Sequence, residues 1–93
     1  MPRPRKRKRC KFAPVDPVFK PRSIPMSELE KVVLPLELME VVRLCDLVGL
    51  DQQQAGERMG VSRGTVQRYA KEAHRRIAEA LVHGKALVLE DSQ

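Results

Sequence analysis

The sequence predicts an all-α domain of three to four helices, preceded by a basic, proline-rich N-terminal arm. Six of the seven prolines and half of the 18 basic side chains fall before residue 26. After that point apolar residues recur at three- and four-residue steps, which is the period of helices. Only 3% of the 93 residues are aromatic, so the core is expected to be aliphatic, and this length provides for one domain.

The predicted arm comprises residues 1–25. Residues 1–22 carry nine basic side chains and one acid, a net charge of +8, whereas residues 23–93 have a net charge of −2. The prolines exclude a long helix here. The few apolar residues between Phe12 and Phe19 are too sparse for a core, and we expect them to anchor the arm on the domain as an extended strap.

The predicted domain comprises residues 26–83 and begins with an ambiguous segment. Ser27 and Glu30 have the spacing of a capping box, which favours a short helical turn over Met26–Val33. The run Val32-Val33-Leu34 is equally consistent with an extended chain. Pro35 then suits the first position of a helix.

Three helices are predicted after Pro35. The first carries a broad apolar stripe that includes Leu47 and Val48, and it ends at Gly49. Asp51 caps the second, over Gln52–Met59, and Ser62 caps the third. The third helix spans 62–81, Gly84 ends it, and residues 84–93 are a short tail in which Ala86–Leu89 is apolar and strand-like.

The segment from Ala55 to Tyr69 has the offsets of a helix-turn-helix. Such a motif needs a small residue where its two helices cross, which Gly56 supplies, and a turn residue that tolerates positive φ, which Gly60 supplies. Apolar residues must also seat both helices, and these are Ala55, Met59, Val61, Val66 and Tyr69. The alternative is an ordinary pair of antiparallel helices in a small bundle.

Charge is polarised between the predicted helices. Residues 62–77 carry five basic side chains against one acid, a net of +4, and residues 28–57 carry seven acids against two basic side chains, a net of −5. Arginine, lysine and glutamine are the residue types that hold phosphates or bind guanine and adenine edges. The third helix is therefore predicted to face a nucleic acid.

Residues 34–81 resemble the promoter-reading C-terminal region of bacterial sigma factors. The resemblance rests on Leu34-Pro35, Arg43-Leu44, Gly49-Leu50 and the run Ala55-Gly-Glu-Arg-Met-Gly-Val-Ser-Arg63. The whole chain is similar to a family of short prokaryotic proteins of unknown function that are predicted to bind DNA. That similarity rests on the Met1-Pro-Arg-Pro-Arg start, Phe19-Lys-Pro, Leu29-Glu and the Gly84-Lys-Ala-Leu87 ending.

The resemblance to sigma factors implies that Ser62, Arg63, Gln67 and Arg68 contact DNA. Gly64 and Thr65 depart from the sigma pattern, which usually has Glu and Arg there, so an acceptor for a cytosine amino group is missing. Gly64 either weakens the first helical turn, by about 0.5–1 kcal/mol relative to alanine, or lets the backbone approach DNA closely.

Sequence-specific binding of double-stranded DNA, as a transcriptional regulator, is the expected function. The expected contacts of the recognition helix are Ser62, Arg63, Gly64, Thr65, Gln67, Arg68, Lys71 and Arg75. The expected contacts of the arm, on phosphates or in the minor groove, are Arg3, Arg5, Lys6, Arg7, Lys8 and Arg9. The alternatives for the arm are a solubilising tail or a run that resembles a nuclear-localisation signal.

Other partners stay open at this point. The acidic stretch 28–57 could dock on RNA polymerase, and the basic arm could bind structured RNA. Pairing of two copies through Val15–Phe19 and Ala86–Leu89 would give a homodimer, which suits two-fold DNA sites. No apolar run reaches the roughly 18 residues of a membrane span. The basic start is not expected to be a signal peptide, because no apolar stretch follows it.

Catalysis is not expected. The sequence shows no paired carboxylates, nucleophile–base arrangement, phosphate loop or metal-ligand spacing, so neither a cofactor nor a metal is predicted. His74 and His83 are expected on the surface, and Cys45 in the core. Cys10 lies among basic residues that favour its thiolate, which leaves a redox role open. Free thiols fit a cytoplasmic location, in association with the nucleoid.

Overall fold

The computed structural model describes residues 17–91, which form three helices and a small three-stranded sheet. The helices are α1 (Leu36–Val42), α2 (Gln52–Met59) and α3 (Arg63–His83). The strands are β1 (Val18–Phe19), β2 (Lys31–Pro35) and β3 (Ala86–Glu90), in the spatial order β1–β3–β2. The protein is mostly helical as expected, but the all-α prediction is wrong because it omits the sheet.

The sheet joins segments that are far apart in the sequence. β2 pairs in parallel with β3, so that Val32 lies opposite Leu87 and Leu34 opposite Leu89. Two parallel strands need a long crossover, and the three helices provide it. Within β2 the burial alternates, with Val32 and Leu34 inward and Lys31 and Val33 outward. The extended alternative for Val32–Leu34 is thus confirmed, and the helical turn shrinks to Met26–Glu28, which begins after Pro25 rather than Ser27.

Both chain ends of the described region belong to this sheet. β1 runs antiparallel to β3, with Val18 opposite Val88, and the Leu89 N–H donates to the Pro17 carbonyl at 2.7 Å. The strap expected at Val18 and Phe19 is therefore confirmed. The tail predicted at 84–93 supplies the central strand. Of the two segments considered for pairing between copies, Val18 and Phe19 pair with Val88 and Leu87 inside one chain.

Helix α1 follows β2 directly and changes its hydrogen-bonding pattern before it ends. After Val42 the chain continues as a π-helix over Arg43–Val48 and stops at Gly49, whose φ is +94°. Hydrogen bonds from i to i+5 place more residues in each turn and shift the apolar stripe. Leu44 stays buried, whereas Leu47 and Val48 are 80% and 50% exposed. Their predicted inward position is wrong for this reason.

The predicted capping residues of α2 and α3 are confirmed. The Asp51 carboxylate accepts the Gln54 N–H at 2.8 Å, and the Gln54 side chain accepts the Asp51 N–H at 3.0 Å. Ser62 Oγ accepts the Thr65 N–H at 3.1 Å. Gly60, with φ +75°, and Gly84, with φ +66°, end the two helices in the left-handed conformation.

Two aliphatic clusters form the core. One lies between the sheet and helices α1 and α3, and its buried members are Leu34, Leu36, Leu38, Ala73 and Leu89. The other joins α1, α2 and α3, and its buried members are Val41, Leu44, Ala55, Met59 and Val66. The half-buried Tyr69 packs against both clusters and so couples them. Cys45 is also half-buried, against the second cluster.

Gly56 is the point where α2 meets the turn that leads into α3. A Cβ at this position would lie 2.6 Å from the Val61 carbonyl oxygen, which is a backbone atom and cannot rotate away. The Gly56 carbonyl also accepts the N–H groups of Gly60 and Val61, at 2.8 and 2.9 Å. The two segments can approach this closely only without a side chain at position 56.

Substitution of Gly56 should therefore destabilise the fold, with Gly64 as a matched control. We expect G56A to lower the free energy of unfolding by about 1–3 kcal/mol, because the added methyl group overpacks a backbone contact. A Cβ at Gly64 meets nothing closer than 3.7 Å, so G64A should instead raise the free energy of unfolding by about 0.5–1 kcal/mol. Urea denaturation of both variants measures this, and equal effects would contradict it.

Candidate nucleic-acid interface

The first three turns of α3 present a polar surface. Val66 and Ala73 are fully buried and fix which side of the helix faces the core. The outward side carries the exposed residues Ser62, Arg63, Gly64, Gln67, Arg68 and Lys71, with Thr65 half-buried among them. All of these except the capping residue Ser62 lie in the helix, which covers 63–83 rather than the predicted 62–81. The sequence-predicted residues of this end of the helix are thus brought together.

A chain of hydrogen bonds runs along this surface. The Ser62 hydroxyl donates to the Thr65 hydroxyl oxygen at 3.0 Å and at the same time accepts the Thr65 N–H. Arg68 Nη2 donates to that same Thr65 oxygen at 3.0 Å. The three residues follow each other at three-residue steps, about one helical turn. The hydrogen bonds therefore link the capping residue Ser62 to the guanidinium of Arg68 in the second turn.

The cations at this end of α3 have no acidic partner within the described chain. Among residues 17–91, neither Arg63 nor Lys71 forms an ion pair or a side-chain hydrogen bond, and Arg68 bonds only to Thr65. Their charges are therefore not neutralised from within the part of the protein that the structure shows. Together with the N-terminal end of a 21-residue helix, they favour an anion at this surface.

The cations further along α3 are in a different situation. Arg75 pairs with Glu72 at 2.8 Å and with Glu79 at 3.6 Å. Arg76 pairs with Glu72 at 2.7 Å, and its Nη1 donates to the Val33 carbonyl of β2 at 2.7 Å. Glu72 thus stands between the two arginines. The structure places Arg75 on the exposed surface, but its guanidinium already has carboxylate partners.

These ion pairs shift the acid–base properties of their members. Hydrogen bonds from Arg75 and Arg76 lower the pKa of Glu72 to about 2, and the bond to Glu72 raises the pKa of Arg75. The hydrogen bond from Lys85 lowers the pKa of Glu79 in the same way. Lys85 also contacts Glu30 at 3.2 Å, so this network ties α3 to the start of β2.

The acidic stretch 28–57 uses much of its charge within the chain. Glu40 is buried and accepts two hydrogen bonds of 2.9 Å from Arg43. Asp46 pairs with His74 at 2.7 Å, and Asp51 caps α2. At least three of the seven acids of this stretch are therefore engaged within the chain.

An open groove of about 700 Å³ lies beside α3. It is lined by α2 and the π-helix on one side and by Arg63 and His74 on the other. The half-buried Cys45 borders it, and burial, together with the Asp46 carboxylate, raises the pKa of its thiol. Both histidines are exposed, as expected. Within residues 17–91 no three potential metal ligands cluster, and no helix is long and apolar enough to cross a bilayer.

Two features of this surface were missed by sequence reasoning. One is the bond from Arg68 to Thr65, for which the signal was the spacing of Ser62, Thr65 and Arg68 at three-residue steps. The other is the pairing of Arg75 by Glu72, whose i,i+3 spacing was visible in the sequence. The predicted arm contacts Arg3, Arg5, Lys6, Arg7, Lys8 and Arg9, together with Cys10, lie outside the described residues.

Comparison with known proteins places the chain in a family. Residues 1–93 match the family model described as protein of unknown function DUF134. The chain belongs to this family. A relative called UPF0251 protein from Prosthecochloris aestuarii is 47% identical over 88 residues, which cover 95% of this chain and 57% of the relative. A relative with the same name from Moorella thermoacetica is also 47% identical, over 97% of this chain and 60% of its own length.

The relatives are longer than this chain. A third UPF0251 protein, from Desulforudis audaxviator, is 47% identical over 97% of this chain and 59% of its own. The chain thus spans less than two thirds of the length of these relatives. No solved structure matches the chain significantly.

The Glu72 ion pairs should make stability depend on pH at acid values. The pKa of this carboxyl lies at about 2 in the folded chain, below its ordinary value of 4.5, so folding favours the ionised form. The stabilisation is present above pH 4.5 and is lost as pH falls towards 2. We expect the difference in unfolding free energy between wild type and E72Q to shrink over this range, as followed by urea denaturation.

Glu57 provides a matched control for this measurement. It is an exposed glutamate that forms no ion pair with any residue from 17 to 91. E57Q should follow the wild-type pH profile. A gap between wild type and E72Q that stays constant from neutral pH to pH 2 would contradict the assignment.

Proposed function

We propose that the protein binds double-stranded DNA in a sequence-specific manner and acts as a transcriptional regulator, with α2 and α3 as a helix-turn-helix. The observation that carries the proposal is the exposed surface on the first turns of α3, where Arg63, Arg68 and Lys71 have no acidic partner within residues 17–91. The close contact at Gly56 supports it, because it fixes the angle between the two helices. A rigid scaffold under an unneutralised basic helix end suits groove binding.

The size and chemistry of α3 suit the major groove. A helix with its side chains is about 10–12 Å across, and the major groove is about 12 Å wide. Arg63 and Lys71 would hold phosphates, and Gln67 and Arg68 would bind base edges, since amide and guanidinium groups form paired hydrogen bonds with adenine and guanine. The end of α3 near Ser62 would receive a phosphate through its free N–H groups.

The ion pairs limit the proposed surface along the helix. Glu72 accepts hydrogen bonds from both Arg75 and Arg76 and so offsets part of their charge, and Arg76 is further held by the sheet. We therefore place the main contacts between Ser62 and Lys71, and Arg75 at the margin. Gly64 lies within this surface, and among residues 17–91 no atom outside its own helix backbone and chain neighbours lies closer than 3.7 Å to the position that its Cβ would occupy. The fold does not require glycine there, and the side chain that lies nearest to this position is that of Arg68.

The arm would add affinity of a less specific kind. β1 holds Pro17 beside Leu89, and Leu89 packs in the cluster that contains Ala73 of α3. The described part of the arm also lies against the C-terminal end of α3, where Phe19 and Pro21 line a cavity together with Ala80 and Leu81. Seven of its basic residues precede Phe12, and we propose that they follow phosphates or enter the minor groove.

Selection of duplexes from a random library, with the full chain, tests the proposal directly. We expect a recurring sequence to be enriched, and the purified chain to bind it with a Kd at least about 1,000-fold below that for a scrambled duplex at the same salt concentration. Single-stranded DNA and structured RNA serve as competitors. Equal affinity for all duplexes, or a preference for RNA, would refute the proposed function.

A pair of lysines tests whether the first turns of α3 are the contact surface. Lys71 and Lys31 are both exposed, and neither has an ion-pair partner among residues 17–91, but Lys31 lies on β2 opposite Ala86. We expect K71A to reduce the slope of log K against log salt by about 0.9, because one phosphate contact is lost. K31A should leave the slope unchanged, and equal effects in a salt titration would contradict the assignment.

Deletion of residues 2–9 tests the arm. The truncated chain should bind every duplex more weakly and with a flatter salt dependence, since each lost phosphate contact lowers the slope by about 0.9. The ratio of affinities for selected and scrambled duplexes should change little. An unaltered salt slope would show that the arm does not contact phosphates.

A further inference from the structure

We infer that Thr65 is a positioning residue that sets base preference by holding Arg68 in one orientation before DNA binds. The inference rests on the proposed function and deepens it, because it says how one residue of the surface becomes selective. Thr65 does not need to touch a base for this. Its side chain acts on DNA through the arginine one turn later in the helix.

The hydroxyl of Thr65 is itself held in place. Ser62 Oγ donates to Thr65 Oγ1 at 3.0 Å and accepts the Thr65 N–H at 3.1 Å. The side chain is half-buried, and its β-branched carbon restricts the first torsion angle. Oγ1 is thus a fixed acceptor at the surface of the first helical turn.

Arg68 is drawn back along the helix by this acceptor. Its Nη2 donates to Thr65 Oγ1 at 3.0 Å, and its Nη1 lies 3.7 Å from the position that a Cβ of residue 64 would occupy. The guanidinium therefore lies over the first turn of α3, above Gly64. This places its charge near the helix end where a base edge or phosphate would enter.

Among residues 17–91, Thr65 is the one side-chain partner of Arg68, so the other donors of the guanidinium are available for recognition. A guanidinium has five N–H donors in a planar fork, and Thr65 takes one of them. Because one N–H group of the guanidinium is bonded to Thr65, its other N–H groups point in a fixed direction. Paired hydrogen bonds to guanine require such a fixed direction. A free arginine side chain has many rotamers, so an arginine that is already held in one of them loses less conformational entropy when it binds DNA.

The contrast with Arg63 and Lys71 supports a special role for Arg68. Those two cations have no side-chain partner within residues 17–91 and can follow a phosphate in any direction. Arg68 is exposed as they are, yet it is bonded to a neutral hydroxyl that orients it and leaves its charge intact. Arg75 and Arg76, by comparison, share the Glu72 carboxylate, which offsets part of their charge.

The test combines conservative variants of Thr65 with a double-mutant cycle. T65V removes the acceptor and keeps the shape, whereas T65S keeps the acceptor. Each is made in the full chain, alone and together with R68A. The probes are the duplex enriched from the random library and a scrambled duplex of the same composition, and the readout is the ratio of the two affinities. Urea denaturation of every variant checks that the fold is intact.

The expected result separates positioning from a structural role. T65V should lower the affinity ratio about two- to tenfold, the cost of ordering one long side chain, while the salt slope stays as in wild type. T65S should keep the wild-type ratio. In the R68A background T65V should have no further effect, because the residue through which it acts is gone. A helix weakened at its cap would instead lower both affinities together.

Three results would overturn the inference. T65V could keep the wild-type ratio, T65S could lose it, or T65V could cost as much with R68A as without it. Any of these, in a wild type that discriminates between the two duplexes, refutes the role of Thr65 alone. A wild type that does not discriminate between them refutes the proposed function, and the inference with it.

Discussion

The arrangement of the candidate surface depends on one backbone contact, between Gly56 of α2 and the carbonyl of Val61 in the following turn. The contact leaves no room for a side chain, and two N–H groups of the turn bond to the Gly56 carbonyl. Val66 and Met59 are buried behind it in the same cluster. The start of α3 cannot tilt without opening this contact, so the direction of its outward side chains is set by the backbone of the turn.

A single long helix performs two tasks in different stretches of its length. Its first turns carry cations without carboxylate partners inside the described region, and its later turns carry arginines bonded to Glu72 and Glu79. The second group ties α3 to β2 through the Val33 carbonyl and, through Lys85, to Glu30. Charge that stabilises the fold is thereby kept apart from charge that is free to meet a ligand. The same helix can be anchored firmly and still present an unneutralised end.

The features that could be predicted from the sequence are the local ones. Asp51, Ser62, Gly60 and Gly84 mark helix ends through bonds and φ angles within a few residues of themselves, so their roles were readable. The sheet was not predicted, since its strands β2 and β3 lie more than 50 positions apart and β2 shows only two periods of alternation. The exposure of Leu47 depends on a π-helix, a change of hydrogen bonding that leaves no composition signal.

The candidate site was predictable as a set of residues but not as a set of interactions. The residues from Ser62 to Lys71 could be assigned to one surface because the helical period fixes which side chains face outward. Whether an arginine pairs with a carboxylate depends on side-chain rotamers and on acids one turn away. Arg68 bonds to the Thr65 hydroxyl, whereas Arg75 pairs with Glu72. The hydrogen bond that anchors Arg68 to the Thr65 hydroxyl is one of the interactions that could not be predicted from the sequence.

The central position of β3 has a consequence for the order in which the protein acquires its structure. The helices α1, α2 and α3 are formed by contacts between neighbouring parts of the chain, and they are complete by His83. The strands β1 and β2 leave the ribosome early but have no partner until Ala86–Glu90 has been synthesised. The sheet can therefore form only once Ala86–Glu90 is available, because both other strands of the described region pair with it.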